Sequence, residues 1–332
     1  MRTASRHTER LTADERLIVI VAPPEVTLQD LTGPWEVFCR AALYRPGTYR
    51  VVTASAERDP QVSTKFGLSI RCHGSILDSC ERADTVLVAG SQRGVDERAD
   101  PAFLDWLRTA GRSSRRVGSI CVGSFYLAQA GLLRGRSATT HWRFLAEFAR
   151  QFPEVCVQQD PIFVRDGNMW TSAGVTAGID LALAMVEEDC GSELALTIAR
   201  DLVIFFQRQG NQSQVSVTLG ARTPERRSIR DLQRWVPDRL SSFRSVAELA
   251  RFVNMSPRNF SRHFKRETGI SPGQYLRALR LEAARQRVGE GATKQDVVAS
   301  QLGLASARSI RRLLKTPAAG AAHDRKARRS AR

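Results

Sequence analysis

No stretch of the 332-residue chain approaches the roughly 18 apolar residues that a membrane span needs, and the polar start MRTASRHTERLTADER has no apolar stretch of signal-peptide type before Leu17. A cytoplasmic protein without a membrane partner is predicted. The 6 cysteines, Cys39, Cys72, Cys80, Cys121, Cys156 and Cys190, form neither a CxxC pair nor a zinc spacing. Structural disulfides, a metal site and a cofactor are therefore not expected. The composition, 42% hydrophobic and 25% charged with 23 Gly and 13 Pro, excludes collagen, coiled coil and a wholly disordered chain. Its length leaves room for two domains.

Acidic residues are scarce in one region only. Residues 1–221 carry 24 basic and 25 acidic side chains, whereas 222–332 carry 26 basic and 9 acidic, so the last third holds the whole formal excess of +16. A neutral segment joined to a strongly basic one points to an anionic partner, nucleic acid above all, for the basic part alone. The plain alternative is a basic but merely solvated surface.

In the neutral part, short β-branched runs recur at 17–22, 49–55, 85–89, 117–120 and 169–173, each too short for a helix. Helical stretches lie between them at 31–42, 101–111, 122–130, 140–152 and 176–188. This alternation predicts an α/β, doubly wound, flavodoxin-like domain with a parallel sheet covered on both faces. In such a sheet ligands sit beyond the carboxyl ends of the strands, which directs attention to Asp30, Gly90, Cys121 and Gly174. Cys121, between a strand and the first turn of a helix, is expected to face solvent with its thiolate favoured by the helix N-terminus, as in a nucleophile elbow. Asp30 could hold a proton or a ligand cation. The alternatives are a small buried thiol and a helix cap.

The strings DLTGPWEVF (30–38), SICVGSFYLAQAGLLRGRSATTHW (119–142) and WTSAGVTAGIDLALAMVEED (170–189) resemble the PfpI-like branch of the class I glutamine amidotransferase-like superfamily, and more narrowly the GlxA-type regulators. The resemblance runs over roughly 15–210. In catalytic relatives an acidic residue near the first loop meets the elbow cysteine, which maps onto Asp30 and Cys121. Hydrolytic relatives place His directly after that cysteine and the isonitrile hydratases place Thr, whereas this chain has Val122, which exchanges no proton. The resemblance thus implies a sensor rather than an enzyme, with an effector pocket formed by Asp30, Gly90, Cys121, His141, Trp142 and Gly174. A carboxylate beside an aromatic ring suits an amine or an amino-acid derivative, unless Trp142 simply fills core. A cysteine-dependent enzyme using Cys121 is the alternative.

In the basic third, Ser228 opens a helix with apolar positions Ile229, Leu232, Val236 and Leu240, and Ser245 with Glu248 forms a capping box for VAELARFV. A turn at Asn254-Met255 leads to Ser256-Pro257, a cap followed by Pro at the first helical position, and that helix ends at Gly269. Two short helices joined by such a turn are what a DNA-reading helix-turn-helix requires. Phe260 and Phe264 face the core, which groups Arg258, Ser261, Arg262 and Lys265 on the other side, with Arg266 suited to phosphate.

The stretch SVAELARFVNMSPRNFSRHFKRETGISPGQYLRALRLEAARQRV (245–288) resembles the DNA-binding domain of AraC/XylS-type regulators. That family carries two helix-turn-helix units joined by a long helix, here 272–289, and the second unit maps to 293–315 with Ile310, Leu313 and Leu314 inward. Arg308, Arg311 and Arg312 would then meet DNA. Leu304 stands where the family has Phe, and the closing string GISPGQYL is not repeated, which predicts looser packing of the second unit. The expected organisation is a tail (1–15), an α/β sensor (16–209), a linker (210–227), an all-α DNA-binding domain (228–316) and a disordered basic tail (317–332). A ligand-responsive transcription regulator follows, nucleoid-associated and homodimeric, with double-stranded DNA and a small-molecule effector as partners.

Overall fold

The structure, a computed structural model, describes residues 15–78, 82–204, 208, 210, 212–215, 226–289 and 295–314, and of 286–289 the backbone alone. Cys80, most of the expected linker, the tail at 317–332 and all of the tail at 1–15 except Glu15 lie outside the described residues. The chain divides into two compact units, Met1–Gln214 and Val215–Arg332.

The first unit is built on strands β1 (Arg16–Ala22), β2 (Tyr49–Ser55), β3 (Gln61–Ser63), β4 (Ser69–Arg71), β5 (Gly74–Ser75), β6 (Thr85–Val88), β7 (Arg116–Ile120), β8 (Ser137–Ala138), β9 (Cys156–Val157), β10 (Phe163–Asp166) and β11 (Met169–Ser172). Seven of them form one sheet in the order β10-β11-β7-β6-β1-β2-β5. Every pairing in it is parallel except β10 with β11. The central strands are apolar at successive positions because both faces are covered, and β6 and β7 are buried along their whole length. The cover consists of helices α1 (Leu28–Tyr44), α2 (Arg93–Asp96), α3 (Pro101–Ser113), α4 (Ser124–Gln129), α5 (Leu145–Gln151), α6 (Thr176–Cys190) and α7 (Ser192–Asp201). The doubly wound, flavodoxin-like sheet read from the sequence is present.

Two expected helices start late. Cys121–Gly123 forms a 3-10 turn before α4, and residues 139–141 are extended, followed by a 3-10 turn at Trp142–Phe144 before α5. Thr139 and Thr140 account for the second case, since their hydroxyls donate to the carbonyls of Gln158 (2.9 Å) and Cys121 (3.1 Å) rather than support a helix. The unit also runs on to Gln214 rather than ending at 209. Ile162 N–H donates to the Gln212 carbonyl and Gln214 N–H to that of Asp160, both at 3.0 Å, which sews this segment to the sheet edge.

At the amino-terminal end of the strands lies a paired charge cluster. Arg116 and Asp189, each with a side chain 3% exposed, form an ion pair that Arg115 and the Tyr49 hydroxyl join. Asp189 stays below the usual carboxylate range, since these partners outweigh the burial that pushes it up.

The second unit comprises α8 (Arg227–Trp235), a 3-10 segment (Pro237–Ser242), α9 (Val246–Phe252), α10 (Pro257–Thr268), α11 (Pro272–Gly289), α12 (Gln295–Gln301) and α13 (Ala307–Leu314). Helix α8 begins at Arg227 without a side-chain cap; Ser228 does not open it, and the Glu267 carboxylate accepts the Arg226 N–H at 3.1 Å instead. Val236 and Leu240 fall outside α8 yet are buried with Ile229 and Leu232 in the core of the unit. Among the described residues no helix is long and apolar enough to cross a membrane.

Candidate functional site

Asp30, in the first turn of α1, meets Gly90, Cys121 and Gly174, which follow β6, β7 and β11, at the carboxyl ends of the strands. Cys121 follows β7 with φ +57°, and Val175 precedes α6 with φ +51°, both in the left-handed region that non-glycine residues avoid. Strain of about 1–3 kcal/mol at each such residue persists only where the surroundings impose it. The glycines show how tight the junction is. A Cβ on Gly174, whose φ is +98°, would lie 2.3 Å from Cys121 Cβ, and one on Gly90 would lie 2.5 Å from Asp30 Oδ2 and 2.9 Å from Cys121 Cβ.

Asp30 is fully buried. Its Oδ1 accepts the Val175 N–H at 2.7 Å, while Oδ2 lies against Gly90 and Cys121. Burial lifts its pKa to about 6, against the opposing pull of the Val175 N–H, the Cys121 thiol and the Gly90 N–H. A residue at 0% exposure does not touch a ligand at the surface, so Asp30 holds the junction from behind.

The expected solvent-facing thiolate is corrected. Cys121 is only 8% exposed, and burial, reinforced by the Asp30 carboxylate, pushes its thiol well above the usual range although the Val122 N–H and Lys65 pull the other way. The elbow geometry is present, with the thiol buried rather than facing solvent. Val122 is itself buried, in the 3-10 turn that starts at Cys121.

His141 and Trp142 follow Thr140, whose hydroxyl is bonded to the Cys121 carbonyl. His141 Nδ1 accepts the Arg143 N–H at 3.3 Å, and its pKa is lowered by burial and by the charges of Arg143 and Lys65. Trp142 does not fill core. It is 51% exposed, with its ring 5.6 Å from His141 and the Arg143 guanidinium 5.6 Å over it, so that face already carries a cation. Sequence reasoning missed Lys65, on the tip between β3 and β4. Its N–H donates to the Val26 carbonyl at 3.1 Å, and its charge reaches both Cys121 and His141.

The second candidate region is the outer face of α10. The capping box of Ser245 and Glu248 is formed, Asn254 turns with φ +55°, and Ser256 caps α10 by accepting the Asn259 N–H. Gly269 closes that helix in the left-handed conformation. Phe260 and Phe264 are fully buried with their rings 5.4 Å apart, and Arg258, Arg262, Lys265 and Arg266 are exposed. Ser261 is half-buried; Arg262 donates to Asn259 Oδ1 at 3.0 Å and Arg266 lies 3.2 Å from His263 Nδ1. On α13, Arg308, Arg311 and Arg312 are exposed while Ile310 and Leu313 are buried. Within the helical unit the second helix-turn-helix shares its core with the first: Val298, Ala299 and Leu302 are buried, and Leu304 packs against them without the aromatic ring. Thr293 and Lys315, the ends of the expected unit, lie outside the described residues.

Known proteins resemble both units. The DJ-1/PfpI family model matches residues 15–188, and a helix-turn-helix domain model matches residues 249–317. The chain is 31% identical over 242 residues to the HTH-type transcriptional regulator CdhR of Pseudomonas aeruginosa, a match covering 72% of this chain and 70% of that one. It is 32% identical over 179 residues to the isonitrile hydratase of Pseudomonas putida, covering 54% of this chain and 74% of the other. Among solved structures, a ThiJ/PfpI family protein from Pseudomonas syringae superposes with a TM-score of 0.51 at 25% identity, covering 62% of this chain and 81% of that one.

Proposed function

The chain belongs to the DJ-1/PfpI family and carries a helix-turn-helix domain in its C-terminal part, and from that premise we propose that it is a transcription regulator that binds promoter DNA and responds to a small metabolite. The carrying observation is α10, capped by Ser256 and anchored by buried Phe260 and Phe264, with Arg258, Arg262, Lys265 and Arg266 exposed beside Ser261. A helix so presented enters a major groove, where Arg262 is suited to guanine and Lys265 and Arg266 to phosphate. Arg308, Arg311 and Arg312 give α13 the same character. The regulator acts on the chromosome in the cytoplasm, as a homodimer whose doubled DNA-binding units raise effective concentration at paired sites.

The effector meets the rim of the elbow, at Cys121, His141, Trp142 and Lys65, while Asp30, Gly90 and Gly174 set the shape behind it. An amino-acid derivative fits that rim better than a bare amine, because Asp30 is buried and Lys65 favours a carboxylate. Binding biases the sensor between two arrangements, which changes DNA engagement.

The test is binding of the full chain to its own upstream DNA and to random DNA across a salt series, with and without a panel of amino-acid derivatives and amines. A cognate preference shifted by one compound is expected; salt-dependent binding without preference would overturn the reading. The second reading, an enzyme using Cys121, draws on the strained elbow and on the likeness to isonitrile hydratase. The raised thiol pKa and Val122 count against it, and alkylation of Cys121 well below the ordinary thiol pKa of about 8.5 would favour it.

A further inference from the structure

The first helix-turn-helix unit is closed by Gly269-Ile-Ser-Pro272, which leads into α11, and the sequence after the second unit does not repeat that string. The second unit is nevertheless joined to the first by a polar junction centred on Arg280, within α11. Arg280 Nε donates to the Leu302 carbonyl at 2.9 Å, and its Nη2 donates to the carbonyls of Phe243 (2.7 Å), Gly303 (3.2 Å) and Arg244 (3.4 Å). Phe243 and Arg244 immediately precede Ser245, the cap of the first unit, and Leu302 and Gly303 lie in the turn between α12 and α13. One guanidinium thus collects two carbonyls from each unit.

Gly303 tightens the same seam. Its φ is +64°, and a Cβ there would lie 2.7 Å from the Leu240 carbonyl oxygen and 3.2 Å from Arg280 Nη2, so the turn of the second unit rests directly on the segment that leads into the first. Helix α13 is in turn tied to α12, because Asp296 Oδ1 accepts the Ala307 N–H at 2.9 Å. All four acceptors of Arg280 are backbone carbonyls, and burial lowers its pKa. Its placement is therefore explained by the geometry of five directional donors in a rigid fork rather than by an ion pair.

We propose that Arg280 is a positioning residue for DNA recognition, fixing the separation and angle between α10 and α13 so that the chain reads two half-sites at a single spacing. The inference rests on the DNA-reading function proposed above. Its test uses duplexes that the full-length chain selects from a random library, with and without two base pairs inserted between the halves, an insertion that turns them by about 70° about the DNA axis. The insertion is expected to weaken binding by the unaltered chain about tenfold or more. Arg280→Lys keeps the charge but offers one ammonium that cannot serve both carbonyl pairs. It is expected to bind the uninterrupted duplex about tenfold more weakly and to lose less than about threefold more on insertion. Gly303→Ala, which disturbs the seam from the other side, is expected to relax the spacing in the same way.

A variant that keeps the full spacing penalty overturns the proposal. Selection of a single half-site by the unaltered chain also overturns it while leaving the DNA-reading function intact, whereas selection of no sequence removes that function itself. If both variants lose binding even to an isolated first half-site, the junction serves folding rather than spacing, and the proposal fails.

Discussion

The two units place their candidate functional side chains on opposite sides of the solvent boundary. In the α/β unit Asp30 is fully buried and Cys121 nearly so, locked among Gly90, Gly174 and the strained Val175. In the helical unit Arg258, Arg262 and Lys265 stand exposed on a helix whose other face is held by Phe260 and Phe264. A buried site couples function to folding, because a change there alters packing, desolvation or strain. An exposed recognition face couples function to the partner alone. The contrast also separates the two ends of the sheet. Asp189 is paired with Arg115, Arg116 and Tyr49 and holds the fold, whereas Asp30 has no cation beside it among the described residues and is held by the Val175 N–H where the elbow is built.

Substitutions can break this contrast. The largest effect is expected for Gly174→Val, where a Cβ would overlap Cys121 and the backbone requires a positive φ. A loss on the order of 3–5 kcal/mol should appear in urea unfolding of the α/β unit, while affinity for random DNA stays within about twofold. A loss below about 1 kcal/mol would mean that the junction is slack.

Next comes Asp30→Asn. The folded-state pKa of Asp30, about 6, lies above the ordinary 3.8, so its contribution to stability is fully present below pH 3.8 and is lost as pH rises through about 6. Relative to the Asn variant, the unaltered chain should lose about 2–3 kcal/mol of unfolding free energy between pH 4 and pH 7. Parallel stability curves for the two proteins would show that the carboxyl is not desolvated.

Arg262→Ala tests the exposed side. It should cost about 1–3 kcal/mol at the selected sequence with random DNA nearly unaffected and urea stability within about 0.5 kcal/mol of the unaltered chain. Equal losses on both DNAs would reject base reading by Arg262. The smallest effect belongs to Arg266→Ala, expected to weaken all sequences alike and to reduce the salt slope by about 1.

The same boundary decided what was legible in the sequence. Caps and periodicity are local, and so Ser245 with Glu248, Ser256-Pro257, Gly269 and the inward pair Phe260 and Phe264 were readable from neighbours within a few positions. The β-branched runs located five strands of the main sheet for the same reason. Burial depth is not local. Asp30 and Cys121 were identified as a pair, yet only the meeting of segments far apart in the chain shows that both are closed off from solvent and that burial pushes the thiol pKa up. Lys65 was missed because it sits on a short hairpin without a strong pattern, and Arg280 because its partners are carbonyls, which every residue carries. Thr139 and Thr140 defeated the expected helix through bonds to Gln158 and Cys121 that lie far along the chain.

The elbow has no partial form. Asp30 follows β1, Gly90 follows β6, Cys121 follows β7 and Gly174 follows β11, so the surface they shape exists only once those strands have paired in register. A compound that binds there binds the native unit and not the unfolded chain, and at a hundredfold excess over its dissociation constant it adds about 2.7 kcal/mol to that unit's stability. A rise in the melting temperature of the α/β unit would thereby reveal such a compound, with no DNA in the cuvette and before any operator is known.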